Sequence, residues 1–313
     1  MTTSSSAGAH THDTPTDPTV LSRLAVLETA VATLQTAVTA LTAAPVIVPV
    51  PTVVPFLGWP KSAPVNFVGQ TNVEVKNLSF QSPGGTNAPV RIEGCTNVWI
   101  HDCDFADLGA LQAILILTSK GTVKIERCRY REVGHNFVQF DKTIASGYIL
   151  NNKGIGGLTE DIISMYASGG TSATDLFVIA YNSFEGTDWT SGSGSGFMLA
   201  DNGGGHILAK SNTLLNPGQV GIGISGGVDC HVTDNVIYGV QRPNSNVGLY
   251  SPYVSGSPNP GGHEVARNRV NWTNAAGHAN PAWDGGASGT IAGWSTNVWQ
   301  DTTIDPATLA VVL

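Results

Sequence analysis

Charge is scarce in this chain. Asp, Glu, Lys and Arg make up 12% of its 313 residues, against the ~25% of an ordinary soluble domain. Lys plus Arg number 15 and Asp plus Glu 23, for a net charge of −8. A nucleic-acid surface needs a basic footprint, which is missing, and an acidic balance argues against docking on an anionic membrane. Cysteine is also rare. Cys95, Cys103, Cys128 and Cys230 match no zinc spacing and no CxxC motif, and four thiols are too few for a disulfide framework in a chain this long. Neither a metal nor a cofactor is expected. No apolar run reaches the ~20 residues that span a bilayer, so membrane insertion is not expected. The opening MTTSSSAGAHTHDTPTDPTV has no basic region and no apolar core, and does not read as a secretory signal. Two-residue Asn-Gly or Asp-Gly turns, the mark of antiparallel hairpins, are almost absent.

Turn-forming residues are plentiful. The 37 glycines, with abundant Asn, Ser and Thr, point to a β-rich protein with many turns. Residues 1–18 are polar, contain two prolines and read as an anchor tail, flexible or ordered by a partner; His10 and His12 within it are read as solvated rather than metal-bound. Residues 19–44 carry a heptad seam, with Leu24, Val31 and Val38 at a and Val20, Leu27, Leu34 and Leu41 at d. Three heptads are marginal alone, so this coiled-coil helix needs partner helices, whose number the seam leaves open. Residues 45–64 hold six prolines and suit an extended neck or an irregular cap.

Residues 65–270 repeat. Short strands VNFVG, VRIEG, ILILT, FVQFD, IISMY, GFMLA, VGIGI and VGLY each precede a second strand, across turns such as GQTN and GCTN. The second strands begin VEVKNLSF, VWIHDCDF and VKIERCRY and align on one column: Leu78, Cys103, Cys128, Asn152, Asn182, Asn212, Asn235 and Asn268. Steps of 25, 25, 24, 30, 30, 23 and 33 residues separate its members. Coils of that length, stacked ~4.8 Å apart, form a parallel β-solenoid. Asn152, Asn182, Asn212, Asn235 and Asn268 would then form a ladder of side-chain amides satisfying buried turn backbone. Insertions at 185–196 and 251–262 lengthen two coils. Residues 271–313 leave the repeat and are expected to cap the solenoid end or to mediate a trimer contact.

Coils of the form xVxIxGxTNVxIxxCxF with a stacked Asn ladder resemble the right-handed parallel β-helix superfamily, which includes pectate lyase-like enzymes and bacteriophage tailspikes. The layout of polar tail, heptads, Pro-rich neck, β-helix and aromatic C-terminus is similar to a phage tail fibre, head fibre or tailspike. The resemblance implies an all-β right-handed parallel β-helix with a short N-terminal coiled-coil α-helix. It also implies a homotrimeric virion protein, assembled in the host cytoplasm, joined to other virion proteins through its N-terminal tail and bound to host surface polysaccharide. Host attachment is the favoured function. A polysaccharide depolymerase, hydrolase or lyase, and a purely structural fibre are the rivals.

Chemistry has few candidates. Paired carboxylates on neighbouring coils would suit glycoside hydrolysis, and Glu93, Asp141 and Asp201 lie near first-strand ends, with Arg91 beside Glu93. Glu160, Asp161, Glu185 and Asp188 sit in turns, and His101, Asp102 and Asp104 on a second strand. Exposed carboxylates more often solvate a surface or cap a turn. Trp99, Tyr166 and Trp189 fall at outward or insertion positions and suit stacking against sugar rings, although a trimer contact would use them equally well.

Overall fold

A computed structural model of the chain describes residues 58–81, 87–157, 160–186, 193–251, 261–286 and 289–313. All of them belong to one unit, 53–313. The tail 1–18, the heptad seam from Val20 to Leu41, most of the neck and Trp189 lie outside the described residues.

The chain winds through nine successive coils, each offering a strand to up to three faces. The first face contains Val65–Val68, Val90–Glu93, Ile114–Leu117, Val138–Asp141, Ile163–Gly169, Val220–Ile224, Val247–Ser251 and Ala282–Asp284. The second contains Thr71–Lys76, Thr96–His101, Lys120–Glu126, Ser146–Leu150, Phe177–Ala180, Val228–Thr233 and Glu264–Ala266. In the sixth coil one long strand, Ser195–Lys210, serves both faces. The third face contains Ser79–Gln81, Asp104–Gly109, Arg129–Val133, Lys153–Ile155, Ser183–Glu185, Thr213–Leu215, Val236–Gly239, Arg269–Trp272 and Val298–Trp299. Every strand pairs in parallel with its equivalent one coil away, as in Val90↔Ile114↔Val138↔Ile163. The protein is therefore an all-β, solenoid-like stack of parallel strands, consistent with a β-helix.

The segments read from sequence as single second strands are each two strands. A residue with positive φ breaks them: Asn77, Asp102, Arg127, Asn151, Tyr181, Ser211, Asp234 and Arg267, all between 50° and 59°. One left-handed residue turns the chain sharply, and the next residue is the column member, pointing inward. There the asparagines bond along the stack. Asn152 Nδ2 donates to Asn182 Oδ1, Asn182 to Asn212, Asn212 to Asn235 and Asn235 to Asn268, each at 2.9 Å. Asn268 donates to Asn297 at 2.8 Å, one coil beyond the repeat seen in sequence. Each Oδ1 also accepts the backbone N–H of the preceding column member, as in Cys128 N to Asn152 at 2.9 Å. A second, hydroxyl ladder runs at the corner between the first and second faces: Cys95 N to Ser119 Oγ, Ser119 N to Thr143 Oγ1 and Thr143 N to Ser168 Oγ, at 3.0–3.2 Å.

The core is the lumen of the stack. Alternate residues of every strand enter it, and rings align along the third face. Phe80 stacks on Phe105 at 5.3 Å, and Tyr130 on Phe184 at 5.6 Å. Between the latter two coils lies Gly154, where a Cβ would fall 1.9 Å from the Tyr130 ring. The four cysteines are buried free thiols.

Both ends carry more chain. Residues 60–62 run beside Ser79, with Ser79 N donating to Pro60 O at 2.9 Å and Ser62 N to Ser79 O at 2.8 Å. The strands Ala282–Asp284 and Val298–Trp299 continue the stack beyond residue 270. The C-terminus then folds back along the third face, where Val311 N donates to Glu185 at 3.1 Å and Lys153 Nζ to the Val312 carbonyl at 3.2 Å.

Candidate functional site

The outward side of the second face over the first four coils gathers aromatic and charged groups. Strand alternation buries Val73 and Val75, Val98 and Ile100, Val123 and Ile125. Register therefore sets Glu74, Trp99, Lys124 and Tyr148 one above another on the outside. Trp99 is 37% exposed. Its ring is fixed rather than loose: Nε1 donates to Glu126 Oε1 at 2.8 Å, and the ring stacks on that of His101 with centroids 4.0 Å and planes 27° apart. The Lys124 ammonium lies 5.9 Å from the Trp99 centroid and 5.7 Å from that of Tyr148, within cation–π range of both. Burial raises the Tyr148 hydroxyl, and the Glu126 carboxylate beside it raises it further.

A charge network supports this column from one side. Arg127 grips Asp102 with two hydrogen bonds, 2.9 and 2.8 Å, and reaches Glu126 at 2.7 Å. His101 lies between Asp102, 2.6 Å away, and Glu74, 3.3 Å away. Burial alone would raise Asp102, but hydrogen bonds from Arg127 and His101 outweigh it and its carboxyl is lowered. Glu74 is lowered by hydrogen bonds from Lys76 and His101. On the other side lies a groove of about 380 Å³, lined by Asn72, Val73, Glu74, Asn97, Val98, Trp99, Thr122 and Lys124. Asn97 Nδ2 donates to Asn72 Oδ1 at 3.0 Å, and Asn97 Oδ1 accepts from Thr122 N at 3.1 Å. These bonds hold two left-handed asparagines as its rim. An aromatic face beside amide, hydroxyl, ammonium and carboxylate groups can meet a ligand that offers both an apolar face and hydrogen-bonding groups.

The other residues singled out from sequence fall elsewhere. Asp141, Tyr166 and Asp201 are neighbours on three consecutive coils of the first face. Glu93 is two coils from Asp141, with Leu117 between them, and its carboxylate is occupied by Arg91 at 2.6 Å. Asp141 has Lys142 at 3.6 Å. Asp201 accepts from Ser225 Oγ at 3.0 Å, and the Tyr166 hydroxyl accepts from Asn202 at 2.8 Å. Asp104 is consumed in a buried bidentate pair with Arg129, both bonds 2.8 Å. Two acidic groups on the first face differ in character. Asp161, in the turn before Ile163–Gly169, is pushed up to about 7 by burial, against hydrogen bonds from Ser195 and with help from the Glu160 charge. Tyr250, pushed up to about 12 chiefly by burial, feels both Asp161 and Asp201 and lies over Gly223 toward Met198, 3.2 Å from its sulfur.

Lys124, Glu126 and Tyr148 were not singled out from sequence. Aligning VKIERC under VWIHDC puts Lys124 beneath Trp99, which is the available signal. Among the described residues no group of three or more His, Cys, Asp or Glu is arranged to hold a metal. No protein-family model matches the chain, and comparison with curated proteins and with solved structures returns no significant similarity.

Proposed function

We propose that this chain is a glycan-recognition protein of a virion surface, a trimeric fibre or spike of the right-handed β-helix kind, attached through its N-terminal tail. The Trp99 groove would meet the host polysaccharide. The observation that carries the reading is a tryptophan oriented by Glu126 and His101 before any ligand arrives, facing a groove with polar groups on both sides. Such preorganisation limits the ordering entropy that sugar binding must overcome. The heptads, the neck and the resemblance to phage spikes support the virion setting. The test is binding of the full chain to an array of bacterial surface polysaccharides. A Trp99→Ala variant that retains its fold should lose the signal by about tenfold or more, as removal of a stacking ring costs roughly 1–2 kcal/mol. Undiminished binding by this variant would refute the assignment of the groove.

A polysaccharide hydrolase is the second reading, favoured by Asp161. A carboxyl held at about 7 is a proton donor at neutral pH, as a general acid must be. Release of reducing ends from a bound polysaccharide, abolished by Asp161→Asn, would establish it. Intact polysaccharide after prolonged incubation would remove it.

A further inference from the structure

Among the described residues, the groove wall has one positive group without an ion pair. Lys76 lies 2.8 Å from Glu74, and Arg127 lies within 2.8 Å of Glu126 and Asp102. Lys124 differs from both. Among the described residues it has no ion pair and no hydrogen-bond acceptor, and its ammonium is held only over the rings of Trp99 and Tyr148. An ammonium has three donors. The two rings on the flanking coils confine the side chain, so its charge stands at the groove wall. The neighbouring carboxylates do not compete for it: Glu126 is taken by Trp99 and Arg127, and Glu74 by Lys76 and His101.

We infer that the groove selects an anionic saccharide, a pyranose stacked on Trp99 whose carboxylate or sulfate pairs with Lys124 and whose hydroxyls bond Asn72, Asn97 and Glu74. The inference rests on the glycan-recognition reading and narrows it to a substrate class. A ring seated on Trp99 places a charged substituent over the next coil, one strand spacing of ~4.8 Å away, where Lys124 stands. The ion pair forms beside two aromatic rings that exclude water from part of its surroundings, and a charge-assisted hydrogen bond is the stronger for it.

The experiment titrates the full chain by calorimetry with hexamers of galacturonate, glucuronate and mannuronate, each as the free acid and as its methyl ester. Sulfated and unsulfated dextran oligomers separate sulfate from carboxylate as the source of charge. At least one anionic hexamer is expected to bind about tenfold more tightly than its neutral counterpart, in a manner weakened by salt. Lys124→Gln should erase that difference. Lys210→Gln, the same charge change three coils away on the same face, should preserve it. Trp99→Ala should weaken binding of both forms by about tenfold or more. Equal binding of charged and neutral hexamers by the unaltered chain would overturn the inference and leave glycan recognition standing. No binding in any series would overturn both.

Discussion

Asn212 ties three coils together with one side chain. Its Oδ1 accepts from Asn182 N and Nδ2, while its Nδ2 donates to Asn235 Oδ1 and to the carbonyls of Ile179 and Lys210. Truncation leaves several buried groups unpaired at once, so Asn212→Ala is expected to destabilise by roughly 3–5 kcal/mol, a fall in Tm on the order of 10 °C. Calorimetric melting checks it, and a change within 2 °C would contradict the ladder's role. His263 makes a different kind of inner contact. Its Nδ1 accepts the Cys230 N–H at 3.1 Å, which only an Nδ1 without a proton allows. Burial pushes this imidazole down from 6.5 to about 4, opposed by Asp229 and aided by His231. The unfolded chain takes up a proton near pH 6.5 and the folded chain does not until about pH 4, so stability drops as pH falls through that window, by about 3 kcal/mol at its end. His231 has the opposite sign. Burial lowers it, but the hydrogen bonds its ring donates to Asp229 and Glu264 prevail and raise it, so its stabilisation is present below 6.5 and is lost as pH rises through its folded value. Tm profiles should show His263→Asn flattening the acid side and His231→Gln the alkaline side.

An element of this fold is a strand with its corner. Strands of the first face and the column of Leu78, the cysteines and the asparagines were readable, because inward β-branched residues and a single amide recur at coil spacing. The corner between the second and third faces was not readable. It consumes one residue, and those residues are Asn, Asp, Arg, Tyr and Ser, with no glycine or proline to mark a turn. Cross-coil neighbours were partly hidden for a related reason: the pairing of Thr96–His101 with Lys120–Glu126 shifts between Thr96 and Val98, so a fixed period misplaces the corner there. Trp99 was visible as an outward aromatic, but its acceptor Glu126, and the Tyr148 that bonds Glu126 in turn, come from the next two coils and depend on register. Gly154 shows the same dependence. It looks dispensable in sequence, yet its missing side chain is the space in which the Tyr130 and Phe184 rings meet. Gly154→Ala should cost about 1–3 kcal/mol by overpacking, and Tyr130→Leu in the same chain should recover part of it. Urea melts of the two variants decide this, and equal loss in both would place the strain elsewhere.

For the whole molecule, the proposed trimer has a direct measure. Light scattering of the intact chain should give three times the chain mass, falling to one chain when residues 1–44 are removed. A trimer that survives truncation moves assembly to the solenoid, and a single-chain mass in both proteins removes the fibre proposal. Assembly of the other kind, end upon end, is where the asparagine column has its last consequence. A row of amides all donating the same way is a polar template, and a stack of parallel strands invites another molecule to add to it. Both ends of this template are silenced. At the far end Asn297 turns its amide hydrogens back on the Val265 and Trp294 carbonyls of its own chain. At the near end the column gives way to Cys128, Cys103 and Leu78, and the thiols donate only weakly to carbonyls of their own coils and the coil before. The row therefore stops within the molecule that built it, and a neighbouring copy finds no amide with which to prolong it.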